Sequence, residues 1–281
     1  MLATACVAIT LAPIDFRYFP VSQMATRSVE YEHYRPEHAM RVGTCFLTSE
    51  FNSFSWYQPD ACLKLDATRR NVLILGDSHA AHLWLGYQTA FPDINFLQAT
   101  ASGCKPVNEA SGPARCTDLV SYILDQYLPA HHADMIILSA RWDSSDVSQA
   151  IATAARLRHF AGRVIISGPI EEYDQAPPRL LARAEIAGED ASRLGMIHLR
   201  PEPRVADRLF AAAKLPDGVQ YVSVFDALCT PECRLTVGDG VPLQFDYYGH
   251  LTEDGAVYLA RKVGPLFLNS LSSAAPHAAP G

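Results

Sequence analysis

Short apolar runs that alternate with helical stretches restrict the fold of this chain more than any other feature of its sequence. The first run, residues 72–75 (Val-Leu-Ile-Leu), contains no polar residue, which is typical of a strand buried on both faces. Four further runs follow, with helix-like sequence between them, at residues 96–99, 135–139, 164–167 and 221–224. This alternation predicts a three-layer α/β fold, in which a doubly wound, mostly parallel, five-stranded sheet carries helices on both faces.

The chain divides into three parts by composition. Residues 1–70 comprise an apolar N-terminus and an irregular, aromatic, proline-containing collar. Residues 71–270 hold the alternating pattern and are expected to form one domain, since their length suits a single core. Residues 271–281 are a Ser/Ala/Pro tail, which we expect to be disordered. In a sheet of this kind, ligands bind beyond the carboxyl ends of the strands.

The apolar N-terminus has two interpretations. Residues 1–13 are shorter than the roughly 20 residues that span a bilayer. They also lack the basic start of a secretory signal, since the first basic residue is Arg17. The run is either the end of a membrane segment from a longer protein or an ordinary buried strand or helix. The first interpretation predicts a domain tethered to a membrane through its N-terminus.

Seven cysteines are present, and six of them lie in close pairs, with Cys6 left over. Such pairs in loop-like sequence are typical of disulfides, which predict an oxidising compartment, the periplasm or the outside of the cell. Zinc and free thiols are the alternatives, although the sequence has no CxxC motif. The connectivity stays open, since six cysteines can pair in many ways. The close pairs are Cys45/Cys62, Cys104/Cys116 and Cys229/Cys233.

The charge and the glycine motifs argue against two classes of ligand. Lys and Arg number 23 against 30 Asp and Glu, for a formal net charge of −7, and no basic stripe occurs. We therefore expect no nucleic-acid partner. The turn after the first strand has neither GxGxxG nor GxxxxGK[ST], which argues against a nucleotide-binding domain.

The strongest chemical signal is Gly-Asp-Ser-His at residues 76–79, directly after the first apolar run. Ser78 stands where the chain leaves a strand and enters a helix, so its hydroxyl should lie at the carboxyl edge of the sheet. Backbone N–H groups at a helix N-terminus favour negative charge, including the oxyanion of a tetrahedral intermediate. The alternative is an ordinary turn and helix cap, in which Gly-Asp-Ser is common.

A catalytic serine needs a base, and His250 is the best candidate. It lies in a loop just before the last amphipathic helix, where the chain can return to the edge of the sheet. Asp246 precedes it and can orient the imidazole and stabilise its cation. The alternative for His250 is a helix-entry residue with a surface hydrogen bond.

Several segments together resemble the SGNH hydrolase-like domain, in the version fused to the C-terminus of membrane acyltransferase-3 proteins. Those proteins O-acetylate bacterial surface polysaccharides. The resemblance spans about residues 71–268, and GDSHA with the last segment is its most specific part. The segments are GDSHA at 76–80, SGCKP at 102–106, ARW at 140–142, GP at 168–169 and the stretch 246–256.

The resemblance implies a role for each matching residue. Ser78 matches the nucleophile, and its amide would form part of the oxyanion hole. Gly103 matches a glycine whose amide is a second donor. His250 matches the base and Asp246 the acid that orients it. This chemistry needs no cofactor and no metal.

The sequence departs from the family pattern at two places. The usual third motif, Gly-x-Asn-Asp, is replaced by Ala-Arg-Trp, so the oxyanion donor Asn is missing. We expect Arg141 to substitute as the donor and Trp142 to contact substrate; alternatively, Arg141 pairs with an acid and Trp142 packs. The Asp246–His250 spacing is also one residue longer than the usual Asp-x-x-His, and Gly249 can absorb the extra residue in a bulge.

The resemblance implies O-acyl transfer, chiefly acetyl transfer, to a cell-envelope polysaccharide, or ester hydrolysis on one. The partners would be a glycan acceptor, an acyl donor and a membrane acyltransferase-3 domain or protein. The alternative is a catalytically degenerate glycan-binding domain, which the two departures favour. The presence of both Ser78 and His250 favours an enzyme.

Overall fold

The computed structural model describes residues 30–272, except residue 32 and the side chains of residues 270 and 272. The predictions for residues 1–13, for Cys6 and for most of the C-terminal tail lie outside the described residues. Within the described part, no helix combines the length and the apolar character that crossing a membrane requires.

The core of the fold is a parallel sheet whose strands run in the order β1-β3-β2-β4-β5-β6. The order reverses direction at β2, whose neighbours are β3 on one side and β4 on the other. Such a reversal opens a crevice at the carboxyl ends of the strands, where α/β proteins bind ligands. The strands are β1 (Phe46–Leu47), β2 (Arg70–Gly76), β3 (Ile94–Ala101), β4 (Ala133–Ser139), β5 (Ala161–Ser167) and β6 (Val219–Val222).

The α/β class and the parallel sheet are confirmed, but the predicted number of five strands is wrong. The collar contributes β1, which pairs with the end of β3 through Phe46↔Thr100 and Leu47↔Ala101. Two residues are too few to give a periodic pattern. The last strand also ends at Val222, because the Ser223 hydroxyl accepts a hydrogen bond from Asp226 N and thereby begins a helix.

Helices cover both faces of the sheet, and a two-stranded hairpin precedes the last pair of helices. A π-helical segment, Tyr122–Tyr127, joins α4 to α5. The hairpin strands are β7 (Thr236–Val237) and β8 (Val241–Pro242). The helices are α1 (Glu37–Met40), α2 (Pro59–Cys62), α3 (Ser78–Ala90), α4 (Ala114–Ser121), α5 (Leu128–Ala130), α6 (Val147–Leu157), α7 (Pro177–Ala187), α8 (Ala191–His198), α9 (Glu202–Ala212), α10 (Val224–Leu228), α11 (Glu253–Val263) and α12 (Pro265–Ser272).

Alternate residues of the central strands enter separate cores on the two faces of the sheet. Leu73 and Leu75 of β2 pack with α4, α6 and α9 on one face. Val72 and Ile74 pack with α3, α11 and α12 on the other. Because side chains alternate along a strand, an uninterrupted apolar run is what a sheet covered on both sides requires.

All six paired cysteines form disulfides, each joining the two members of a close pair. The bond Cys45–Cys62 ties the collar to itself beside β1, with a Cα–Cα distance of 5.5 Å. Cys104–Cys116 closes the loop after β3, with a Cα–Cα distance of 5.0 Å. Cys229–Cys233 closes a short loop after α10. The disulfide interpretation of these cysteines is therefore confirmed.

The helices α3 and α11 pack side by side, and both begin at the carboxyl edge of the sheet. The two backbones lie close together at Gly86, where a Cβ atom would overlap the backbone carbonyl of Ala256. Only glycine permits this approach. The contact fixes the distance between the N-termini of the two helices, next to which Ser78 and His250 stand.

Replacing Gly86 with alanine should therefore separate α3 from α11. We expect the free energy of unfolding to fall by about 1–3 kcal/mol, the usual cost of overpacking a buried contact. Chemical denaturation measures this loss. Thr89→Ala, at an exposed position of the same helix, is the matched control and should stay within about 0.5 kcal/mol of the parent. Equal stability of the Gly86→Ala variant and the parent would contradict the account of this contact.

Candidate active site

Ser78 lies at the first position of α3, immediately beyond the carboxyl end of β2. The turn that places it there depends on Gly76, where a Cβ would overlap the carbonyl oxygen of Ser139 on β4. Residue 76 pairs with Ser139 on one side and with Thr100 of β3 on the other. The serine therefore stands over the centre of the sheet, at the point where the strand order reverses.

The buried carboxylate of Asp77 fixes the conformation of this turn. Its Oδ1 accepts a hydrogen bond from His79 N at 2.8 Å and so caps α3. Its Oδ2 accepts one from Arg141 N at 2.9 Å, which ties the turn to the segment after β4. Burial raises the pKa of Asp77 to about 6, although the two backbone hydrogen bonds lower it. The carboxyl group is 2% exposed and serves as a structural clamp.

A second turn brings His250 to the same edge of the sheet. The strand-like segments on either side of it pair through a bridge between Gln244 and Leu251, and Phe245 N donates to His250 O at 3.0 Å. Leu251 N donates to Nδ1 of His82 on α3 at 3.3 Å. Thr252 then caps α11, its hydroxyl accepting from Gly255 N at 3.0 Å. The segment is thus held by both α3 and α11.

The side chains of Asp246, His250 and Ser78 lie in a hydrogen-bonded line. His250 Nδ1 is 2.6 Å from Asp246 Oδ2, and His250 Nε2 is 2.8 Å from Ser78 Oγ. Ser78 and His250 are 172 positions apart in the sequence. This geometry is that of a nucleophile, a base and an orienting acid. All three side chains are only partly buried, so the line is open to a ligand.

The long spacing between Asp246 and His250 is accommodated inside the turn. Asp246 Oδ1 accepts hydrogen bonds from Tyr248 N at 3.0 Å and from His250 N at 3.2 Å. Gly249 adopts a φ of +86°, which other residues rarely adopt. A Cβ there would also press against Ile170. The extra residue is therefore absorbed at Gly249, and the carboxylate still reaches the imidazole.

The backbone amides of Ser78 and Gly103, the predicted oxyanion donors, each follow a strand at the carboxyl edge of the sheet. The amide of Ser78 belongs to the first turn of α3, so it has no acceptor within the helix. Gly103, with φ +70°, follows β3, and its N–H makes no hydrogen bond to any described residue. The neighbouring amides of Ser102 and Cys104 are both used, by Leu47 O and Ala101 O. This pattern is compatible with the predicted donor pair.

In the segment that replaces the usual Gly-x-Asn-Asp motif, Arg141 pairs with an acid and Trp142 packs, as the alternative interpretation of the sequence predicts. Arg141 donates through Nε and Nη2 to both carboxylate oxygens of Glu172, at 2.7 and 2.6 Å. This bidentate pair occupies two of the three guanidinium nitrogens, so the geometry does not support the oxyanion role expected of Arg141. Trp142 is 2% exposed, packs against Phe210 and donates from Nε1 to Ser167 O. The burial of its ring in the core favours the alternative, in which Trp142 packs, over contact with substrate.

Further polar residues surround the line: His79 and His82, which the sequence places next to Ser78 as packing or cleft-lining residues, and Glu171, which sequence reasoning missed. His79 and His82 are buried beside His250, and burial lowers the pKa of both imidazoles well below the usual value. Glu171 is fully buried next to the same turn, where Gln244 Nε2 donates to its backbone carbonyl. Burial raises the pKa of Glu171 to about 8. No described group of three or more His, Cys, Asp or Glu side chains is arranged to hold a metal ion.

The buried carboxyl of Glu171 should make the protein less stable at mildly alkaline pH. Its pKa rises from 4.5 when exposed to about 8 in the fold, so between these values the folded state keeps a proton that the unfolded state releases. Raising the pH therefore favours unfolding, with a slope of about 1.4 kcal/mol per pH unit. Between about pH 6.5 and 8 the carboxyl alone should cost about 2 kcal/mol. His79 and His82 oppose this loss below about pH 7.5, because they are held neutral in the fold while their unfolded imidazoles still release protons.

Denaturant titrations of the parent and of Glu171→Gln across this range measure the effect. The glutamine variant should lose the contribution of the carboxyl, because its side chain carries no proton to release, and should therefore gain stability relative to the parent as the pH rises. Glu189→Gln, at an exposed position on the loop after α7, should retain that contribution. A slope in Glu171→Gln equal to that of the parent would show that Glu171 is ionised in the fold.

Comparisons with known proteins are consistent with the fold and place the chain in a family. The periplasmic domain of a lipopolysaccharide acetyltransferase from Salmonella ser. Paratyphi A superposes with a TM-score of 0.69 at 20% identity, over 89% of this chain and 98% of that one. A carbohydrate acetylesterase family member from Sinorhizobium meliloti reaches only 0.41 at 14% identity, over 72% and 99% of the two chains. At 20% identity the likeness to the Salmonella domain concerns the fold alone. The likeness to the Sinorhizobium protein is too weak to support any conclusion. No curated protein sequence matches the chain.

The family assignment rests on sequence. The family model described as "SGNH domain (fused to AT3 domains)" matches residues 44–265, which include the last part of the collar, the whole six-stranded sheet and the turn that carries His250. The chain therefore belongs to the family of SGNH domains that occur fused to AT3 domains.

Proposed function

We propose that this domain is a serine acyltransferase or esterase that acts on an O-acylated carbohydrate through Ser78, His250 and Asp246. The observation that carries the proposal is the continuous line from the Asp246 carboxylate through both imidazole nitrogens to the Ser78 hydroxyl. A packed core does not require such a line, and it lies at the edge of the sheet where ligands bind. Membership of the SGNH family supports the same chemistry.

The first half of the proposed reaction forms an acyl-enzyme. His250 Nε2 takes the proton of Ser78 Oγ while the oxygen attacks the carbonyl carbon of the acyl donor. Asp246 accepts the Nδ1 hydrogen bond and stabilises the imidazolium. The amides of Ser78 and Gly103 donate to the oxyanion. The intermediate then collapses, and His250 returns the proton to the leaving oxygen.

The second half transfers the acyl group. His250 removes a proton from a sugar hydroxyl or from water, and that oxygen attacks the Ser78 ester. A second tetrahedral intermediate collapses, and the proton on His250 goes back to Ser78 Oγ. The same residues serve transfer and hydrolysis, so the acceptor that occupies the site decides between them. Because the family occurs fused to AT3 domains, we favour transfer, chiefly of acetyl groups, to a cell-envelope polysaccharide.

We further propose that the domain works outside the cytoplasm, with an AT3 membrane acyltransferase as its partner. Three disulfides among the described residues favour an oxidising compartment such as the periplasm. The solved domain from Salmonella is described as periplasmic and belongs to an acetyltransferase. An AT3 partner in the membrane would supply the acyl group to Ser78.

Hydrolysis of p-nitrophenyl acetate by the purified, oxidised domain tests the catalytic line. We expect Ser78→Ala and His250→Ala to lower kcat by at least about 10³-fold. Asp246→Asn should lower it by about 10²–10⁴, because it permits the wrong imidazole tautomer. Ser148→Ala and His38→Ala, at exposed positions, are the matched controls and should keep the parental rate.

Covalent labelling by a fluorophosphonate probe tests the reactivity of the Ser78 hydroxyl directly. It should label the parent and not the Ser78→Ala variant, since the probe reacts with activated serine hydroxyls. A folded parent that neither turns over the ester nor takes up the probe would refute the enzymatic proposal. It would favour the alternative of a glycan-binding domain.

A further inference from the structure

Two exposed tyrosines stand beside the proposed base. Tyr247 and Tyr248 are 38% and 39% exposed, and among the described Phe, Tyr and Trp residues only Trp56 is also exposed. Their ring centroids are 4.1 Å apart, and the Tyr248 ring centroid is 6.4 Å from that of His250. They belong to the same turn as His250, so their position relative to the reacting atoms is fixed. Exposed aromatic rings at the mouth of a site are typical of ligand-binding surfaces.

An arginine borders each of these tyrosines. The Arg141 guanidinium carbon lies 5.1 Å from the Tyr248 ring, and that of Arg200 lies 5.9 Å from the Tyr247 ring. Glu172 organises both arginines, because its carboxylate binds Arg141 and its carbonyl accepts Arg200 N at 2.8 Å. The four side chains Arg141, Tyr248, Tyr247 and Arg200 form a ridge that leads away from His250. We refer to it as the tyrosine–arginine ridge.

The two arginines differ in charge balance. Arg141 is neutralised by its bidentate pair with Glu172. The guanidinium of Arg200 has no acidic partner among the residues that the structure describes, and its contact with Tyr247 leaves the N–H groups free. The chain as a whole carries a net charge of −7, and Arg200 is only partly exposed. A planar fork of N–H donors matches the oxygens of a carboxylate or a phosphate.

We propose that the tyrosine–arginine ridge is the acceptor subsite and that it selects a negatively charged sugar. A pyranose ring packs on Tyr247 and Tyr248, and its anionic substituent is bound by the guanidinium of Arg200. The ring then presents a hydroxyl towards His250. This inference rests on the proposed function, because it names the substrate class of the same site.

Binding of small sugars tests this assignment without any acyl chemistry. The probes are the methyl glycosides of glucose and galactose, the corresponding uronates and the corresponding 6-phosphates, titrated into the oxidised domain and followed by NMR. Each set differs only at carbon 6, so it separates charge from ring shape and a carboxylate from a phosphate. We expect at least one anionic form to bind about tenfold more tightly than its neutral counterpart.

Variants assign the preference to individual side chains. Arg200→Gln should reduce the ratio of anionic to neutral affinity to about one, whereas Tyr247→Ala should weaken both forms alike. Arg208→Gln, at an exposed position on the neighbouring helix α9, removes the same charge outside the ridge and should keep the ratio. A preference that is equally lost in Arg208→Gln would reflect the overall charge and would overturn the proposal.

Two further outcomes would also overturn it: equal binding of neutral and anionic forms, and no binding of any probe at about 10 mM. The result is independent of the proposed catalysis. If the domain binds anionic sugars through Arg200 but hydrolyses no ester, the subsite is supported and the enzymatic proposal is refuted. If it hydrolyses esters through Ser78 but shows no charge preference, the enzymatic proposal is supported and the subsite is refuted.

Discussion

The close packing of α3 against α11 is the contact on which the site depends. Ser78 begins one helix, and His250 stands three residues before the other. Because Gly86 lets the backbone of α3 approach Ala256 directly, the two N-termini are held at a fixed separation over the carboxyl edge of the sheet. The hydrogen bond between two residues 172 positions apart thus follows from this helix packing together with the hydrogen-bonded turn that carries His250.

Burial and hydrogen bonding then determine the charges around the hydrogen-bonded line of Asp246, His250 and Ser78. Asp77 is held by two backbone amides and clamps the serine turn to the end of β4. His79 and His82 are buried and uncharged next to His250, since desolvation disfavours their cations. Glu172 neutralises Arg141. These arrangements leave Asp246 as the acid that directly contacts the imidazole, and Arg200 without an acidic partner among the described residues.

The sequence predicts the parts of this structure that have a local pattern. The strands β2 to β5 are recognisable because burial on both faces requires uninterrupted apolar runs, and Ser78 and His250 stand in short motifs next to a strand and a helix. Pairings between distant residues have no such pattern. The strand β1 is only two residues long, and the partner of Arg141 is 31 positions away. The burial of Trp142 also depends on Phe210 of α9, 68 positions away, so the local sequence left both packing and substrate contact open for it. The boundary between collar and domain at residue 71 stays a prediction.

The central claim is that Ser78 carries the acyl group between donor and acceptor. The most direct test is mass spectrometry of the oxidised domain after brief incubation with an activated acetyl ester and an acid quench. The account predicts one acetyl group on the peptide that contains Ser78, and its loss when a sugar acceptor is added before the quench. An adduct that persists in Ser78→Ala, or that lies on another residue such as Tyr247, would contradict the account.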